Sequence, residues 1–116
     1  MARRTGYMRE WARFQQEYPL VLTPFLMRST YEWDEDQRSA ASVKDLFDSS
    51  LYSWSMNLLG LPAAIAPAGY VDGLPISVQL VGQRYREDLC LDAAATIEKV
   101  TGCQIHELWR RNGERR

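Results

Sequence analysis

Apolar residues recur at spacings of three and four near the start of the chain, which predicts an amphipathic helix over residues 7–18. Pro19 ends this helix, because the residue before a proline avoids helical geometry. The apolar run LVLT over residues 20–23 then predicts a short strand that is covered on both faces, and Pro24 closes it. The apolar stripe of the helix comprises Tyr7, Met8, Trp11, Phe14 and Tyr18.

The middle of the chain predicts a long loop followed by a helix. Residues 25–42 contain acidic residues and serines without an apolar period, and loops of this length are often functional. A helix is predicted over residues 43–59, with Gly60 as its C-terminal cap. Its predicted buried side comprises Leu46, Phe47, Leu51, Trp54 and Leu58.

Two strands are predicted next, over residues 63–68 and 75–81. The pair Asp72 and Gly73 between them favours a tight hairpin turn. Alternation along the second strand points one set of side chains to one face and the next set to the other. The two sets are Ile76, Val78 and Leu80, and Ser77, Gln79 and Val81.

The clearest helical pattern covers residues 87–100, with acidic residues at its start and Gly102 after its end. A short final helix or turn is predicted over residues 106–110. The apolar stripe of the long helix comprises Leu89, Ala93, Ile97 and Val100.

Composition places these elements in one domain over residues 1–116, with 46% hydrophobic and 25% charged residues. A net charge of −1 offers no broad field for nucleic acid, although arginines cluster at both ends. Two cysteines and no apolar stretch behind the basic start favour a reducing, cytoplasmic setting without a signal peptide. Residues 49–71 lack charge, but Pro62 and Pro67 would break a membrane-spanning helix.

Familiar catalytic motifs are missing from the sequence. It contains no Gly-x-Ser-x-Gly, P-loop or GxGxxG motif and no cluster of metal ligands, so neither a cofactor nor a metal is expected. His106 is the only histidine and has no evident partner for base catalysis. Ser42 and Lys44 are two residues apart, a spacing that does not share a helical face. The residues alone therefore nominate no catalytic centre.

Three segments in order carry a resemblance to a known family: NLLGLPAAIAPAG, DGLPISVQLVG and REDLCLDAAATIE. Preceded by YPLVLTP, they resemble the C-terminal part of the amidase signature family, and the resemblance covers roughly residues 7–101. It implies an α/β fold, a C-terminal piece of the amidase signature fold with a mixed β-sheet flanked by helices. About three strands and three helices are expected here.

The resemblance also implies hydrolysis of a small-molecule carboxamide by a Ser–cis-Ser–Lys triad. The glycine- and serine-rich segment that carries this triad in the family is absent, so no catalytic residue can be assigned. The chain looks like the last quarter of an amidase, either a truncated gene product or an excised fragment. It is expected to be inactive alone and to pair with the missing N-terminal portion or to self-associate through an exposed sheet edge.

Four residues are predicted from the resemblance to line the wall of the substrate pocket, although a core or turn role remains open for each. They are Thr23, Tyr52, Trp54 and Asn57. Four more are predicted to serve as structural turn residues, namely Gly60, Pro62, Asp72 and Gly73.

Three other functions stay open. The chain could be a non-catalytic interaction module on an amidase-derived scaffold, or part of the amidase-like subunit of an amidotransferase. The arginine-rich ends leave nucleic-acid binding as a distant further possibility.

Overall fold

Five α-helices and one three-stranded antiparallel sheet make up residues 2–113, the part of the chain that the computed structural model describes. The expected α/β class is confirmed, with five α-helices rather than about three. A short 3-10 helix, Glu35–Gln37, precedes the second α-helix. In chain order the elements are α1 (Ala2–Glu17), β1 (Leu20–Pro24), α2 (Ala40–Ser49), α3 (Leu51–Leu59), β2 (Ala63–Val71), β3 (Leu74–Gly82), α4 (Glu87–Thr101) and α5 (Gln104–Gly113).

The strand order of the sheet is β1-β3-β2, so β3 is central and pairs antiparallel with both neighbours. The β2–β3 turn lies at Asp72 and Gly73, whose φ angles of 51° and 79° are both positive, as a two-residue hairpin turn of this hand requires. The pairing of β2 shifts register between Pro67 and Gly69, because proline has no N–H to donate to the ladder. Both strands are longer than the sequence predicts.

Helix α4 packs on one face of β2 and β3 and forms the core with them. Of the predicted stripe, Ala93 and Ile97 do contact this core, whereas Val100 is 86% exposed. Thr101 continues the stripe instead, and its hydroxyl donates to the Pro67 carbonyl oxygen at 3.3 Å. The buried members of the core are Ala64, Ala66, Leu80 and Cys90.

The single helix predicted over residues 43–59 is in fact two helices, α2 and α3, which meet at Ser50. The hydroxyl oxygen of Tyr31 lies 2.6 Å from Ser49 Oγ and 2.9 Å from Ser50 Oγ, so side chain–side chain bonds concentrate where the helix breaks. The predicted loop over residues 25–42 is correspondingly too long. It contains the 3-10 helix, and α2 begins at Ala40, with Ser39 Oγ accepting from the Ser42 amide at 3.1 Å.

The prediction of which side of this helix pair is buried is wrong. Ser49, Met56 and Leu59 are buried instead, facing the rest of the chain. Within residues 2–113 no further layer covers the opposite side, so most of the predicted set stays in contact with solvent. The exposed members are Phe47, Leu51, Trp54 and Leu58, with exposed fractions between 41% and 57%.

Strand β1 is predicted to be covered on both faces, but in the structure one face is largely exposed. Leu22 lies on the same face as Leu80, to which it is paired, yet it is 61% exposed because α4 packs over β2 and β3 rather than β1. The first and last helices also exceed their predicted lengths, α1 beginning at Ala2 and α5 covering Gln104–Gly113. No helix among residues 2–113 combines the length and apolar character needed to cross a bilayer.

Candidate functional site

A cleft of about 670 Å³ lies beside the end of β1. Its volume falls within the range of small-molecule sites in proteins. Three segments supply its walls: the last residues of β1, the loop that follows, and the β2–β3 hairpin. The lining residues are Leu22, Thr23, Pro24, Phe25, Leu26, Arg28, Ser29, Thr30, Val71, Pro75, Ile76, Ser77 and Val78.

The loop wall of the cleft is held by hydrogen bonds to both the sheet and the helix pair. The Phe25 amide donates to the Ser77 carbonyl oxygen at 3.4 Å, which extends the β1–β3 ladder past Pro24. The Met27 amide donates to the Ser49 carbonyl oxygen at 2.8 Å. Ser53 Oγ donates to the Phe25 carbonyl oxygen at 2.6 Å. These bonds give the loop a defined position, as a binding wall needs.

Arg28 is the charged residue of the cleft lining, and two carboxylates neutralise it. Its Nη1 lies 2.7 Å from Glu35 Oε1 and also pairs with Asp45, while the guanidinium stacks 5.0 Å from the Tyr31 ring centroid. These partners raise the pKa of Arg28, and the Glu32 amide together with Arg28 lowers the pKa of Glu35. With Arg28 already paired, the cleft favours a neutral ligand over an anion.

Gln79 is a buried polar residue that joins the end of β1 to α3. It is 3% exposed, and its Nε2 donates to Thr23 Oγ1 at 3.3 Å and to the Tyr52 carbonyl oxygen at 3.2 Å. The sequence predicts only the face on which Gln79 lies. A glutamine within an otherwise apolar strand is the signal for such a network, since a buried amide needs partners.

The four predicted pocket-wall residues are only partly brought together. Thr23 lines the cleft, whereas Tyr52 is not among its lining residues, and the Tyr52 carbonyl oxygen accepts from Gln79. Trp54 Nε1 donates to the Phe47 carbonyl oxygen at 3.1 Å, and the Asn57 carbonyl oxygen accepts from the Gly60 amide at 3.2 Å. Neither of these two residues is among the cleft lining, so their part in a pocket stays a prediction.

The four predicted turn residues lie at chain reversals on either side of the hairpin. Gly60 follows α3 with a φ angle of 68°, and Asp72 and Gly73 form the β2–β3 turn. The Pro62 carbonyl oxygen accepts from the Gly82 amide at 3.0 Å, which places it at the entry to β2. Their structural role therefore rests on backbone geometry rather than on contact with the cleft.

The serines and the lysine considered from sequence are engaged elsewhere. Lys44 pairs with Asp48 one helical turn along α2, and Ser42 Oγ lies 2.9 Å from Ser39 Oγ. Ser49 Oγ donates to the Asp45 carbonyl oxygen at 2.6 Å. No cluster of three or more metal-ligating side chains occurs among residues 2–113. None of the side chains of Ser42, Lys44 and Ser49 is among the residues that line the cleft.

The sequence is similar to that of a known protein family. The sequence model of the amidase family, described as "Amidase", matches residues 1–91. An indoleacetamide hydrolase from Bradyrhizobium japonicum is 47% identical over 109 residues, which are 93% of this chain and 23% of that protein. A glutamyl-tRNA(Gln) amidotransferase subunit from Lactococcus lactis subsp. cremoris is 35% identical over 98 residues, or 84% of this chain and 20% of that protein. The chain spans less than a quarter of the curated relatives it matches.

Solved structures agree on the fold. The structure of 6-aminohexanoate cyclic dimer hydrolase superposes with a TM-score of 0.71 at 27% identity, covering 86% of this chain and 23% of that one. A glutamyl-tRNA(Gln) amidotransferase subunit from Thermotoga maritima superposes with a TM-score of 0.73 at 24% identity, over 85% of this chain and 21% of that one. The arrangement of helices and strands described above is therefore one found within larger chains.

Proposed function

The chain belongs to the amidase family, and on that premise we propose that it forms one wall of the substrate site in a hydrolase of carboxamide C–N bonds. The 47% identity to an indoleacetamide hydrolase over 93% of the chain is the single observation that carries this proposal. The chain acts as a scaffold and binding segment. The serine nucleophile and its lysine are supplied by sequence outside these 116 residues.

The chemistry of the cleft supports an uncharged, partly aromatic amide as substrate. Leu22, Phe25 and Ile76 are apolar residues of the cleft lining, and Thr23 and Ser77 are polar residues of the same lining. Because the lining arginine is already paired with carboxylates, an anionic substrate gains little from it. A neutral aryl acetamide, the class to which indoleacetamide belongs, matches these walls.

The partners of Lys44 and of the serines considered above support the proposal that the catalytic groups lie in another part of the polypeptide. Amide hydrolysis of this kind needs a nucleophile within hydrogen-bond reach of its base. Among residues 2–113, the Lys44 ammonium pairs with a carboxylate, and the serines discussed above bond backbone or other hydroxyls. The isolated chain is therefore expected to bind weakly and to hydrolyse nothing.

A chimera tests the proposal. This chain replaces the matched 109 residues of the Bradyrhizobium japonicum indoleacetamide hydrolase, and hydrolysis of indoleacetamide is measured for the chimera, the parent and the isolated chain. Hydrolysis by the chimera and none by the isolated chain is the expected result. A folded chimera without hydrolysis would overturn the proposal.

The role of the cleft wall is tested within the same chimera by Thr23→Val, which removes the hydroxyl and keeps the shape. The expected result is a raised KM with a smaller change in kcat, because the residue contacts substrate rather than the reacting bond. The matched control is Thr96→Val on α4, where the hydroxyl bonds the Asp92 carbonyl oxygen at 2.9 Å away from the cleft. An equal effect of both substitutions would remove Thr23 from the site.

A component of an amidotransferase is the second candidate, favoured by the 35% identity over 84% of the chain. The discriminating experiment places this chain in the matched Lactococcus lactis amidotransferase polypeptide in the same way. Greater recovery of activity there than in the hydrolase chimera would favour the amidotransferase. For either candidate we propose a cytoplasmic location, consistent with two cysteines that form no disulfide with each other.

A further inference from the structure

We propose that an exposed apolar stripe on α2 and α3 is the surface against which the remainder of an amidase-family polypeptide packs. The helix-pair stripe consists of Phe47, Leu51, Trp54 and Leu58. The proposal rests on the family membership that underlies the proposed function, and it adds the surface and its occupant.

Spacing and contacts make the helix-pair stripe one continuous feature. Leu51, Trp54 and Leu58 follow one another at intervals of three and four and so share one face of α3, while Phe47 lies on α2. Trp54 Nε1 donates to the Phe47 carbonyl oxygen at 3.1 Å, which fixes α3 against α2 across the break. Four large apolar side chains on one face, each at least 41% exposed, are typical of an interaction surface.

The apolar surface continues from the helix-pair stripe toward α1. Arg4 Nε donates to the Leu58 carbonyl oxygen at 2.5 Å, so the start of α1 touches the end of the stripe. Tyr7 and Phe14 on α1 are also exposed, as is Tyr18 just after it, with the Phe14 and Tyr18 rings 5.0 Å apart. Helix α1 and the α2–α3 pair therefore both present uncovered apolar side chains.

The dimensions of the molecule show how much surface awaits cover. The accessible surface is 8556 Å², whereas a compact monomer of this mass exposes about 6,500 Å². The radius of gyration is 16.6 Å with extents of 53 × 40 × 16 Å, against about 13 Å for a compact chain of this length. The excess of about 2,000 Å² is of the size that permanent partners bury. A thin slab of this kind is one side of a larger core.

The occupant follows from the relatives. Their matched segments cover 93% of this chain but only 23% of the indoleacetamide hydrolase, so in that protein the same fold sits in a polypeptide about four times as long. The rest of such a polypeptide would cover the helix-pair stripe, which is why the stripe is apolar although it is exposed in this chain. A second copy of this chain is the competing occupant, and the test separates the two.

The test compares Leu51→Gln with Leu91→Gln, in the isolated chain and in the hydrolase chimera. Both leucines are solvent-exposed in this structure, at 44% and 63%, but Leu91 lies on α4 outside the stripe. Leu51→Gln is expected to lower the melting temperature of the chimera by about 3 °C or more, because a polar amide enters a buried contact. In the isolated chain it is expected to have little effect, and Leu91→Gln is expected to change neither protein.

Other outcomes overturn the proposal. If Leu51→Gln leaves the chimera unchanged, or destabilises the isolated chain equally, the stripe is not the docking surface. A dimer of the isolated chain that Leu51→Gln dissociates in sedimentation assigns the stripe to a second copy instead. A chimera that is inactive but shows the expected temperature shift supports the docking surface and contradicts the proposed function. An active chimera without the temperature shift supports the proposed function and contradicts the docking surface. A chimera that does not unfold cooperatively contradicts both proposals.

Discussion

At the scale of single residues, Gly82, the last residue of β3, lies in close contact with the start of α4. A Cβ atom there would lie 2.5 Å from Cys90 Sγ and 3.2 Å from the Arg86 carbonyl oxygen. Burial raises the pKa of the Cys90 thiol, so it stays protonated and acts as a small apolar group. Gly82 thus sets the distance at which α4 begins to pack on the sheet.

Gly82→Ala is expected to destabilise the fold by about 1–3 kcal/mol, because overpacking forces the helix start away from β3. Urea unfolding followed by circular dichroism measures the free energy of unfolding. Gly6→Ala is the matched control: no atom lies within 4 Å of its added Cβ, and alanine in a helix is expected to stabilise by about 0.5–1 kcal/mol. A loss at residue 6 as large as that at residue 82 would contradict this packing account.

Gln79→Met is expected to cost about 1–3 kcal/mol, because it removes the hydrogen bonds that the buried Gln79 amide donates to Thr23 Oγ1 and to the Tyr52 carbonyl oxygen. The exposed Gln37→Met is the control, since its amide bonds only the nearby Asp34 carboxylate at 3.2 Å. Thermal unfolding of both variants checks the difference. If the two substitutions cost the same, Gln79 does not tie β1 to α3.

At the scale of elements, α5 is attached to the sheet by one charged and aromatic cluster. Tyr70 Oη donates to the Gln104 carbonyl oxygen at 3.1 Å, and the Arg111 guanidinium lies 4.1 Å from the Tyr70 ring centroid. Arg110 and Arg111 lower the pKa of Glu107 from its ordinary value to about 2. The ion pairs therefore orient Arg111 for its contact with β2.

The depressed pKa of Glu107 predicts an acid-dependent attachment of α5. A carboxylate with a lowered folded pKa stabilises fully above its ordinary value of 4.5, and the contribution is lost as pH falls toward about 2. The protection factors of α5 amides, which correct for the intrinsic pH dependence of hydrogen exchange, are expected to be steady from about pH 7 to 5 and to fall below that. Glu107→Gln is expected to remove this acid step, whereas Glu98→Gln on α4 keeps it. An unchanged step in Glu107→Gln would contradict the assignment.

Comparison of elements shows what the sequence can predict. Strand β3 and α4 are predicted to within one residue at each end, because local alternation and a helical period fix them, whereas β2 is predicted from its first residue but ends at Val71 rather than at residue 68. The break between α2 and α3 is not, since it coincides with contacts from Tyr31, which is 18 and 19 residues away from its two serine partners in sequence. The sequence predicts that Thr23 lines a pocket. It does not predict that Gln79 links Thr23 to the Tyr52 carbonyl oxygen, because that link is a tertiary contact.

At the scale of the whole molecule, the pattern and the structure disagree over what is buried. Periodicity predicts that Phe47, Leu51, Trp54 and Leu58 face a core, and they are exposed in residues 2–113. The disagreement has a physical reason: an apolar face encodes its own burial, but the partner that buries it need not lie in the same segment. Two observations support this explanation: the molecule is only 16 Å thick along its shortest axis, and the chain spans 23% of the indoleacetamide hydrolase.

The hydrolysis of indoleacetamide by the chimera tests the central claim most directly. A rate within about tenfold of the parent hydrolase is expected, because the matched 109 residues supply a wall and scaffold that the rest of the enzyme completes. The isolated chain is predicted to show no hydrolysis above buffer. A chimera that unfolds cooperatively yet hydrolyses no amide, or an isolated chain that turns over indoleacetamide, would contradict the account.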